Sequence, residues 1–125
     1  MTAETIAGIS TDRLAAFAKR EADIYAKARP KALKALTAGA GTFLGRVPMH
    51  WMADWPMPHL PLVAKARGAQ IEDIDGIKLD DFCLGDTGSM FGHSPAPVAK
   101  AIRHQARRGL TYMLPTEAAL EAGRL

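Results

Sequence analysis

Arg46 is the residue with the clearest capacity for chemistry in this chain. It is the only arginine or lysine in an apolar segment, GTFLGRVPMHWMADWPMPHLP, that is rich in proline, methionine and tryptophan. A guanidinium presents a planar fork of donors that binds a carboxylate through two parallel hydrogen bonds. We therefore expect Arg46 either to bind the carboxylate of a ligand or to form a buried ion pair.

The histidines and the cysteine do not form a metal-binding pattern. His50, His59 and His104 show no metal-ligand spacing with one another or with Cys83, which is the only cysteine. A single cysteine also excludes a disulfide within the chain. The position of His93, between a glycine and Ser-Pro, is explained better by a turn and a helix start than by a catalytic base.

Composition favours a soluble globular protein over a disordered one, because 48% of the residues are hydrophobic and 23% are charged. No apolar run approaches membrane-spanning length, and the N-terminus lacks the features of a signal peptide. We therefore expect a cytoplasmic protein without a membrane partner. Seven cations and two acids lie between Arg13 and Lys34. We interpret this run as a solvated helix face rather than a nucleic-acid site, because few aromatic residues lie among the cations.

The N-terminal part is predicted to be helical, and a proline-rich arm follows it. Ser10 or Thr11 is suited to cap the first helix, and apolar residues then recur at helical spacing. Those residues are Leu14, Phe17, Ala18, Ile24, Tyr25 and Ala28. Arg29-Pro30 should end or kink this helix, and residues 31–37 add another turn or two. Four prolines exclude a helix through most of residues 42–61.

Three short strands of one antiparallel sheet are predicted at residues 62–66, 69–74 and 77–84. Asp75-Gly76 is a strong hairpin signal and predicts a type I′ turn, in which both central residues have positive φ. A loop with several glycines follows, and Ser94-Pro95 should provide the N-cap and first position of a helix.

Two further helices are predicted at residues 95–108 and 117–125. The first should turn Val98, Ala101, Ile102 and Ala106 inward and stop at Gly109. Thr116 should cap the second, with Glu117 at its positive end. The pattern of the last helix continues to the final residue without a cap or breaker. We therefore expect this chain to be the opening portion of a longer protein.

This order of elements resembles the N-terminal part of the class III, pyridoxal-phosphate-dependent aminotransferases. The hairpin, the polar loop that ends in Gly-His-Ser-Pro, and the Pro-Thr-Glu helix start at residues 115–117 carry the resemblance. It covers residues 36–125 and is closest to the branch of glutamate-1-semialdehyde aminomutase and the β-amino-acid aminotransferases. It implies the type I pyridoxal-phosphate fold, which is α/β as a whole, with this segment α+β.

The resemblance also implies roles for individual residues. In the aminomutase branch, an arginine at the spacing of Arg46 after a glycine pair binds the substrate carboxylate. Thr42, Phe43 and Leu44 replace Asn-Ser-Pro of that branch and imply a bulkier pocket wall. Asp86 stands where the family carries an aromatic residue, so it would favour a polar or cationic substrate group or pair with Arg46. The alternative for Asp86 is an Asx turn.

Trp51 and Tyr112 complete the set of candidate substrate-binding residues. Trp51 belongs to the aromatic residues of the arm that would shape the pocket, and Tyr112 would border it from the loop before the last helix. Simple packing at a helix start is the alternative for Tyr112.

The implied cofactor is pyridoxal 5′-phosphate, which needs a Schiff-base lysine, an acid at the pyridine nitrogen and a phosphate cradle. The seven lysines of this chain lie in helix-face or strand contexts unlike the lysine loop of the family. We therefore expect the binding residues to lie mostly beyond residue 125, with no catalytic residue in this segment and no activity of the segment alone. The implied partners are an amino donor, a carbonyl acceptor and a second subunit of a homodimer.

The predicted organisation has four parts. They are a helical segment at 1–36, a substrate-facing arm at 37–61, a sheet with a pocket loop at 62–93, and helices at 94–125 that lead into a large cofactor-binding domain. Three other functions remain open: an intramolecular aminomutase on the same fold, a basic binding module without enzymatic activity, and an independent interaction domain.

Overall fold

A computed structural model describes residues 5–6 and 8–125. The chain divides into two compact units, one of Met1–Ala66 with Gln70–Asp81 and one of Arg67–Ala69 with Phe82–Leu125. The first unit contains the N-terminal helices, the arm and most of the sheet, and the second contains the glycine-rich loop and the last helices.

Two helices that meet at a proline form the start of the first unit. Strands β1 (Thr5–Ile6) and β2 (Ile9–Ser10) pair antiparallel and lead into α1 (Thr11–Ala28). Helix α2 (Pro30–Ala38) follows after Arg29 alone. The predicted break at Arg29-Pro30 is confirmed, because proline fits the first turn of a helix but not its interior. Ser10 is the N-cap of α1, although its side chain forms no capping hydrogen bond.

The arm has little regular structure, as its prolines require. It contains two short 3₁₀ helices, Leu44–Arg46 and His50–Asp54. Val47 between them is buried, and the rings of Trp51 and Trp55 lie 6.4 Å apart. The arm therefore folds on itself around Val47 while much of its apolar surface stays exposed.

Three strands form the predicted sheet, in the order β3 (Val63–Arg67), β4 (Gln70–Asp73) and β5 (Lys78–Asp80). Strands β4 and β5 pair antiparallel, with Gln70 opposite Asp80. The prediction that the third strand extends to residue 84 is wrong, because β4 begins at Gln70 and offers no partner beyond Asp80.

The hairpin between β4 and β5 is present, but its turn differs from the prediction. Gly76 has φ of 88°, whereas Asp75 is not among the residues with positive φ. The Gly76 N–H donates to Asp73 O at 2.9 Å, and Asp73 N–H donates to Ile77 O at 3.0 Å. This is a three-residue loop with glycine in the left-handed position, rather than a two-residue type I′ turn.

The second unit contains α3 (Ala96–Ala106) and α4 (Glu117–Ala122). Pro95, rather than Ser94, is the N-cap of α3, because Ser94 adopts φ of 51°. Val98 and Ile102, which were predicted to face inward, are 51% and 55% exposed. Thr116 caps α4 as predicted, since its hydroxyl accepts a hydrogen bond from Ala119 N at 3.2 Å.

The prediction that the last helix continues uncapped to the end of the chain is wrong. Helix α4 ends at Ala122, and Gly123 is its C-cap. The Gly123 N–H donates to Ala119 O at 3.2 Å and closes the last turn. Gly123 could have been recognised in the sequence as the end of the helix, because glycine commonly follows the last helical residue.

A buried ion pair joins the helix junction to the hairpin in the first unit. Arg29 Nε donates to Asp73 Oδ2 at 3.0 Å, and the two residues are only 7% and 1% exposed. The other oxygen of Asp73 accepts the N–H groups of Asp75 and Ile77 at 3.0 and 2.8 Å. Both oxygens of this buried carboxylate are therefore satisfied, as a buried charge requires.

Asp75 of the same hairpin caps the N-terminus of α2. Its two carboxylate oxygens accept the N–H groups of Lys31 and Ala32 at 2.8 and 3.0 Å. A carboxylate at this end satisfies free N–H groups and interacts favourably with the helix dipole. Ala32 is completely buried at the contact. The turn residues of the hairpin therefore fix the start of α2.

Replacing Asp73 by alanine should destabilise the protein by about 3–5 kcal/mol, because the charge of Arg29 would remain buried without a partner. The matched control is Asp23→Ala, which removes the partner of Lys19 in an exposed pair on α1 and should cost at most about 0.5 kcal/mol. Denaturant unfolding of the full-length protein, together with hydrogen exchange of the Ala32 amide, measures both effects. Equal losses for the two variants would contradict a structural role of the buried pair.

Candidate functional site

Arg46 is held in an unusual backbone conformation. Gly45 and Arg46 are consecutive left-handed residues, with φ of 70° and 65°. The Arg46 N–H donates to Phe43 O at 3.0 Å and closes the short 3₁₀ helix. A non-glycine residue in this region costs roughly 1–3 kcal/mol, and such strain is concentrated at functional sites. The local fold therefore maintains this arginine at an energetic cost.

The guanidinium of Arg46 is exposed and lies beside a cavity. Arg46 is exposed and forms no ion pair and no side-chain hydrogen bond with the residues that the structure describes, so the buried ion pair considered from the sequence is not formed within this part of the chain. Arg46 lines a cavity of about 220 Å³ between α2 and the arm. An unpaired guanidinium at the wall of a cavity is available for an anionic ligand.

The other polar side chains of this cavity are already hydrogen-bonded within the protein. The Thr37 hydroxyl donates to Leu33 O at 2.8 Å, and His59 Nε2 lies 3.2 Å from Arg29 O. A carbonyl oxygen only accepts, so this contact requires the tautomer of His59 with hydrogen on Nε2. Arg46 is therefore the side chain on the described wall that carries an uncompensated charge.

Apolar side chains form the rest of the cavity wall, and Trp55 is the aromatic residue among them. The apolar lining residues include Leu33, Leu36, Met52, Trp55, Met57 and Leu60. Trp51, the predicted candidate, is not among the residues that line this cavity, and its ring lies 6.4 Å from that of Trp55. Its role in substrate binding stays a prediction. Both tryptophans are evident in the sequence. The prolines predict an irregular arm, but they do not predict which of the two tryptophan side chains lines the cavity.

Tyr25 of α1 supports the wall that contains Met57 and His59. Its hydroxyl donates to His59 O at 2.8 Å, and Met57 Sδ lies 3.6 Å away. The Tyr25 ring packs edge-on against His59 at 5.3 Å, and its face lies 4.0 Å from the Arg29 guanidinium. Sequence reasoning assigned Tyr25 to a packing stripe and missed this contact, because its partners lie more than thirty residues away.

Asp86 lies in the second unit, on an exposed loop. Leu84, Gly85 and Asp86 all have positive φ, with 57° at Asp86. The carboxylate lies 3.4 Å from the Cys83 thiol, and it accepts no hydrogen bond from a backbone N–H of the residues that the structure describes. The Asx turn considered from the sequence is therefore absent, and the role of Asp86 in substrate binding stays a prediction.

Tyr112 also lies in the second unit, where its hydroxyl closes the end of α3. It donates toward the carbonyls of Arg108 and Gly109, and Gln105 Nε2 lies 3.3 Å from it. Gly109 has φ of 101°, and a Cβ there would lie 2.9 Å from the Tyr112 hydroxyl. Tyr112 lines a broad surface concavity between α3 and α4. Its proposed contact with substrate stays a prediction.

The described residues do not by themselves fit a resident metal or pyridoxal phosphate. Over residues 5–6 and 8–125, no group of three or more histidine, cysteine or acidic side chains is arranged for a metal. No lysine lines the Arg46 cavity or the concavity at Tyr112. A Schiff-base cofactor requires one. The helices of this part of the chain are also too short or too polar to cross a membrane.

Comparisons with known proteins agree with the resemblance seen in the sequence. Over 76 residues the chain is 37% identical to a glutamate-1-semialdehyde 2,1-aminomutase of Thermoplasma acidophilum, covering 61% of this chain and 17% of that protein. A crystal structure of a glutamate-1-semialdehyde aminomutase from Pseudomonas aeruginosa superimposes with a TM-score of 0.84 and 43% identity, covering 94% of this chain and 26% of that one. This chain is similar to one part of these glutamate-1-semialdehyde aminomutases.

The structural similarity extends to a more distant aminotransferase. A β-phenylalanine aminotransferase of Variovorax paradoxus matches with a TM-score of 0.68 and 23% identity, over 84% of this chain and 23% of that one. This match supports the fold alone. A second structure of the Pseudomonas aminomutase is described as a complex with PMP. No known family profile matches the chain.

The expected fold class is thereby confirmed. The chain has the fold of part of a type I pyridoxal-phosphate transferase, with helices and a small antiparallel sheet. It spans about one sixth of the length of the curated relative from Thermoplasma, 17%. The division into four parts and the site residues stay predictions.

Tyr25→Phe should reduce the loss of stability at high pH. Burial raises the pKa of the Tyr25 hydroxyl above its ordinary value, the Asp73 carboxylate adds to the rise, and the Arg29 guanidinium opposes it. Stability from the neutral hydroxyl is complete below pH about 10 and is lost as the pH rises through the raised value of the folded state. Unfolding free energies of both proteins, measured from pH 8 to 11, test this. If the unfolding free energies of wild type and Tyr25→Phe fall with pH at the same slope, the loss of stability does not come from Tyr25.

Proposed function

We propose that this chain is part of a pyridoxal-phosphate-dependent enzyme that moves an amino group between an amino acid or amine and a keto acid, aldehyde or ketone. The homology to aminomutases and the fold shared with aminotransferases support the proposal. When bound, the cofactor supplies the chemistry of amino-group transfer. Residues outside this chain hold the cofactor, so residues 1–125 alone are inactive.

Arg46 binds the substrate carboxylate in this proposal, and one observation supports it: Arg46, an exposed residue with a strained backbone and no ion-pair partner among the described residues, lines a cavity. Two parallel N–H···O bonds fix both the position and the orientation of a carboxylate. The reacting amino group is then held at a constant distance from Arg46. Trp55 is the aromatic residue at the wall of this cavity. The contacts of Trp51, Asp86 and Tyr112 with substrate stay predictions from the family resemblance.

An intramolecular aminomutase is the second candidate, favoured by the 43% identity to the Pseudomonas aminomutase. Such an enzyme returns the amino group to another carbon of the same molecule. The two candidates differ in product: an aminotransferase releases a keto product from the amino donor, whereas an aminomutase does not. Thr42, Phe43 and Leu44 stand where the aminomutase branch has Asn-Ser-Pro, and this departure favours a transferase with a different substrate.

The complete protein is a cytoplasmic homodimer in this proposal. Ala32 and Val47 are the only apolar residues among those described that are buried, whereas Leu44, Phe82, Phe91 and Met113 are at least 90% exposed. Apolar surfaces of this kind are normally covered by other parts of a protein or by a partner. Cys83 is exposed and forms no disulfide with any residue that the structure describes, as is usual in a reducing compartment.

Arg46→Ala in the full-length enzyme should reduce kcat/KM roughly 10- to 100-fold for substrates that carry a carboxylate. For the matched amine without the carboxylate, tested with the same acceptor, kcat/KM should change little. Arg46→Lys is the control variant, since it keeps the charge but not the planar fork. An equal loss for the amino acid and the amine would assign Arg46 a structural role.

Leu44→Asp should weaken the homodimer if the arm lies at the subunit interface. The side chain is 95% exposed in this chain, so a charge there disturbs no packing within it but would be buried by a partner. Leu44→Met is the control at the same position. Sedimentation of the full-length proteins over a range of concentrations should show dimers for wild type and Leu44→Met. An obligate interface typically buries more than about 2,000 Å², and a stable monomeric wild type would contradict the proposal.

A further inference from the structure

The arm is attached to the helices of the first unit mainly at its two ends. At its start, the Thr42 N–H donates to Gly39 O at 3.1 Å, directly after α2. At its end, His59 bonds to residues around the α1–α2 junction. Over residues 47–56, no hydrogen bond or ion pair joins the arm to a helix or strand among the residues that the structure describes. A segment attached in this way can open locally without unfolding the rest of the unit.

His59 makes the attachment at the end of the arm. Its carbonyl oxygen accepts a hydrogen bond from the Tyr25 hydroxyl at 2.8 Å, and its Nε2 lies 3.2 Å from Arg29 O. The rings of His59 and Tyr25 also pack edge to face, with centroids 5.3 Å apart. We call these contacts of His59 with Tyr25 and Arg29 the latch. Two hydrogen bonds and one ring contact thus hold the end of the arm against the helix junction.

The Arg29 side of the latch is fixed independently of the arm. The Arg29 guanidinium is buried against the Asp73 carboxylate at 3.0 Å. Its carbonyl oxygen also accepts the Leu33 N–H at 3.2 Å, which forms the first turn of α2. The latch therefore joins a rigid junction to a segment with few other attachments, so the contacts of His59 should open before the junction does.

The backbone of Arg46 depends on how the arm is packed. A Cβ added at Gly45 would lie only 3.6 Å from the Ala53 Cβ, so the two 3₁₀ helices of the arm approach each other closely. Val47 is buried between them. A left-handed conformation such as that of Arg46 persists only where the surrounding structure maintains it. Opening of the arm would loosen those surroundings and allow Arg46 to adopt an unstrained conformation.

We propose that the arm is a strap with two states, closed when the latch is formed and open when it is released, and that His59 is the positioning residue that keeps it closed. The closed strap holds Arg46 at the cavity, whereas the open strap exposes the chain around Val47. The effect on activity rests on the proposed function, since it takes Arg46 to bind the substrate carboxylate. A carboxylate that binds Arg46 only in the closed state would in turn favour that state.

Trypsin can report the open state, because Arg46 is the only lysine or arginine between Lys34 and Lys65. Cleavage after Arg46 requires the chain at the buried Val47 to become accessible. When opening and closing are fast relative to cleavage, the cleavage rate follows the population of the open state. The experiment is limited digestion of the folded full-length protein at one fixed concentration, with mass spectrometry of the fragments that end at Arg46 and Lys34.

His59→Ala should raise the rate of cleavage after Arg46 roughly 2- to 10-fold, the factor expected from the loss of one hydrogen bond. Tyr25→Phe removes the other hydrogen bond of the latch and should raise the rate by a similar factor. His59→Gln should restore most of the protection, because its amide nitrogen can donate to Arg29 O. His50→Ala is the matched control, since His50 is an exposed histidine of the same arm and forms no hydrogen bond with the described residues.

Two digestion results would overturn the strap. One is a wild-type rate of cleavage after Arg46 in both His59→Ala and Tyr25→Phe. The other is an equal rise in cleavage after Lys34 of α2, because the substitutions would then loosen the whole unit instead of the arm. Thermal unfolding of each variant confirms that the digested protein is folded.

Kinetics separates the strap from the proposed function. In His59→Ala, KM should rise roughly 2- to 10-fold for amino acids and less for the matched amine without a carboxylate, with little change in kcat, because saturating carboxylate favours the closed state. An equal rise in KM for both donors would overturn the positioning role of His59. Faster cleavage after Arg46 without turnover of any donor would overturn the proposed function and leave the strap in place.

Discussion

The Arg29–Asp73 ion pair is the interaction on which the first unit depends. It joins the junction of two helices to a hairpin that lies 44 residues further along the chain. The same guanidinium lies against the Tyr25 ring, and the carbonyl oxygen of Arg29 accepts a hydrogen bond from His59 Nε2. Helix, hairpin and arm therefore meet at one residue. The cavity beside Arg46 has its shape because its walls, α2 and the end of the arm, are both held at this point.

Features that depend on one or two neighbouring residues could be predicted from the sequence. Proline at position 30 had to interrupt the helix, and Thr116 had to cap the last one, because the backbone geometry of these residues acts locally. The hairpin was also predictable from Asp75-Gly76, although its loop length was not. The number of loop residues depends on how Asp73 uses its side chain, and that carboxylate is engaged by a distant arginine.

Features that depend on distant contacts could not be predicted. The end of β5 at Asp80 follows from where β4 begins, not from the apolar residues beyond it. Arg46 was recognised as a candidate ligand-binding residue because it is the only lysine or arginine in an apolar segment. Trp55, four positions after the predicted candidate Trp51, lines the cavity, because the arm has no regular period from which the direction of either side chain could be predicted. The role of Trp51 in substrate binding stays a prediction. Val98 and Ile102 are exposed, which shows that an amphipathic sequence pattern predicts the apolar face of a helix but not which part of the protein covers that face.

The backbone at Arg46 has a consequence for how this sequence tolerates change. Glycine adopts φ of 65° without strain, so glycine would suit the backbone at this position better than arginine does. Selection for heat resistance, or a design procedure that ranks sequences by folding free energy, would therefore tend to remove the charged group beside the cavity. A more stable protein obtained in this way would keep its fold and lose the guanidinium that we propose binds the substrate carboxylate, which is the general form of a conflict between stability and activity.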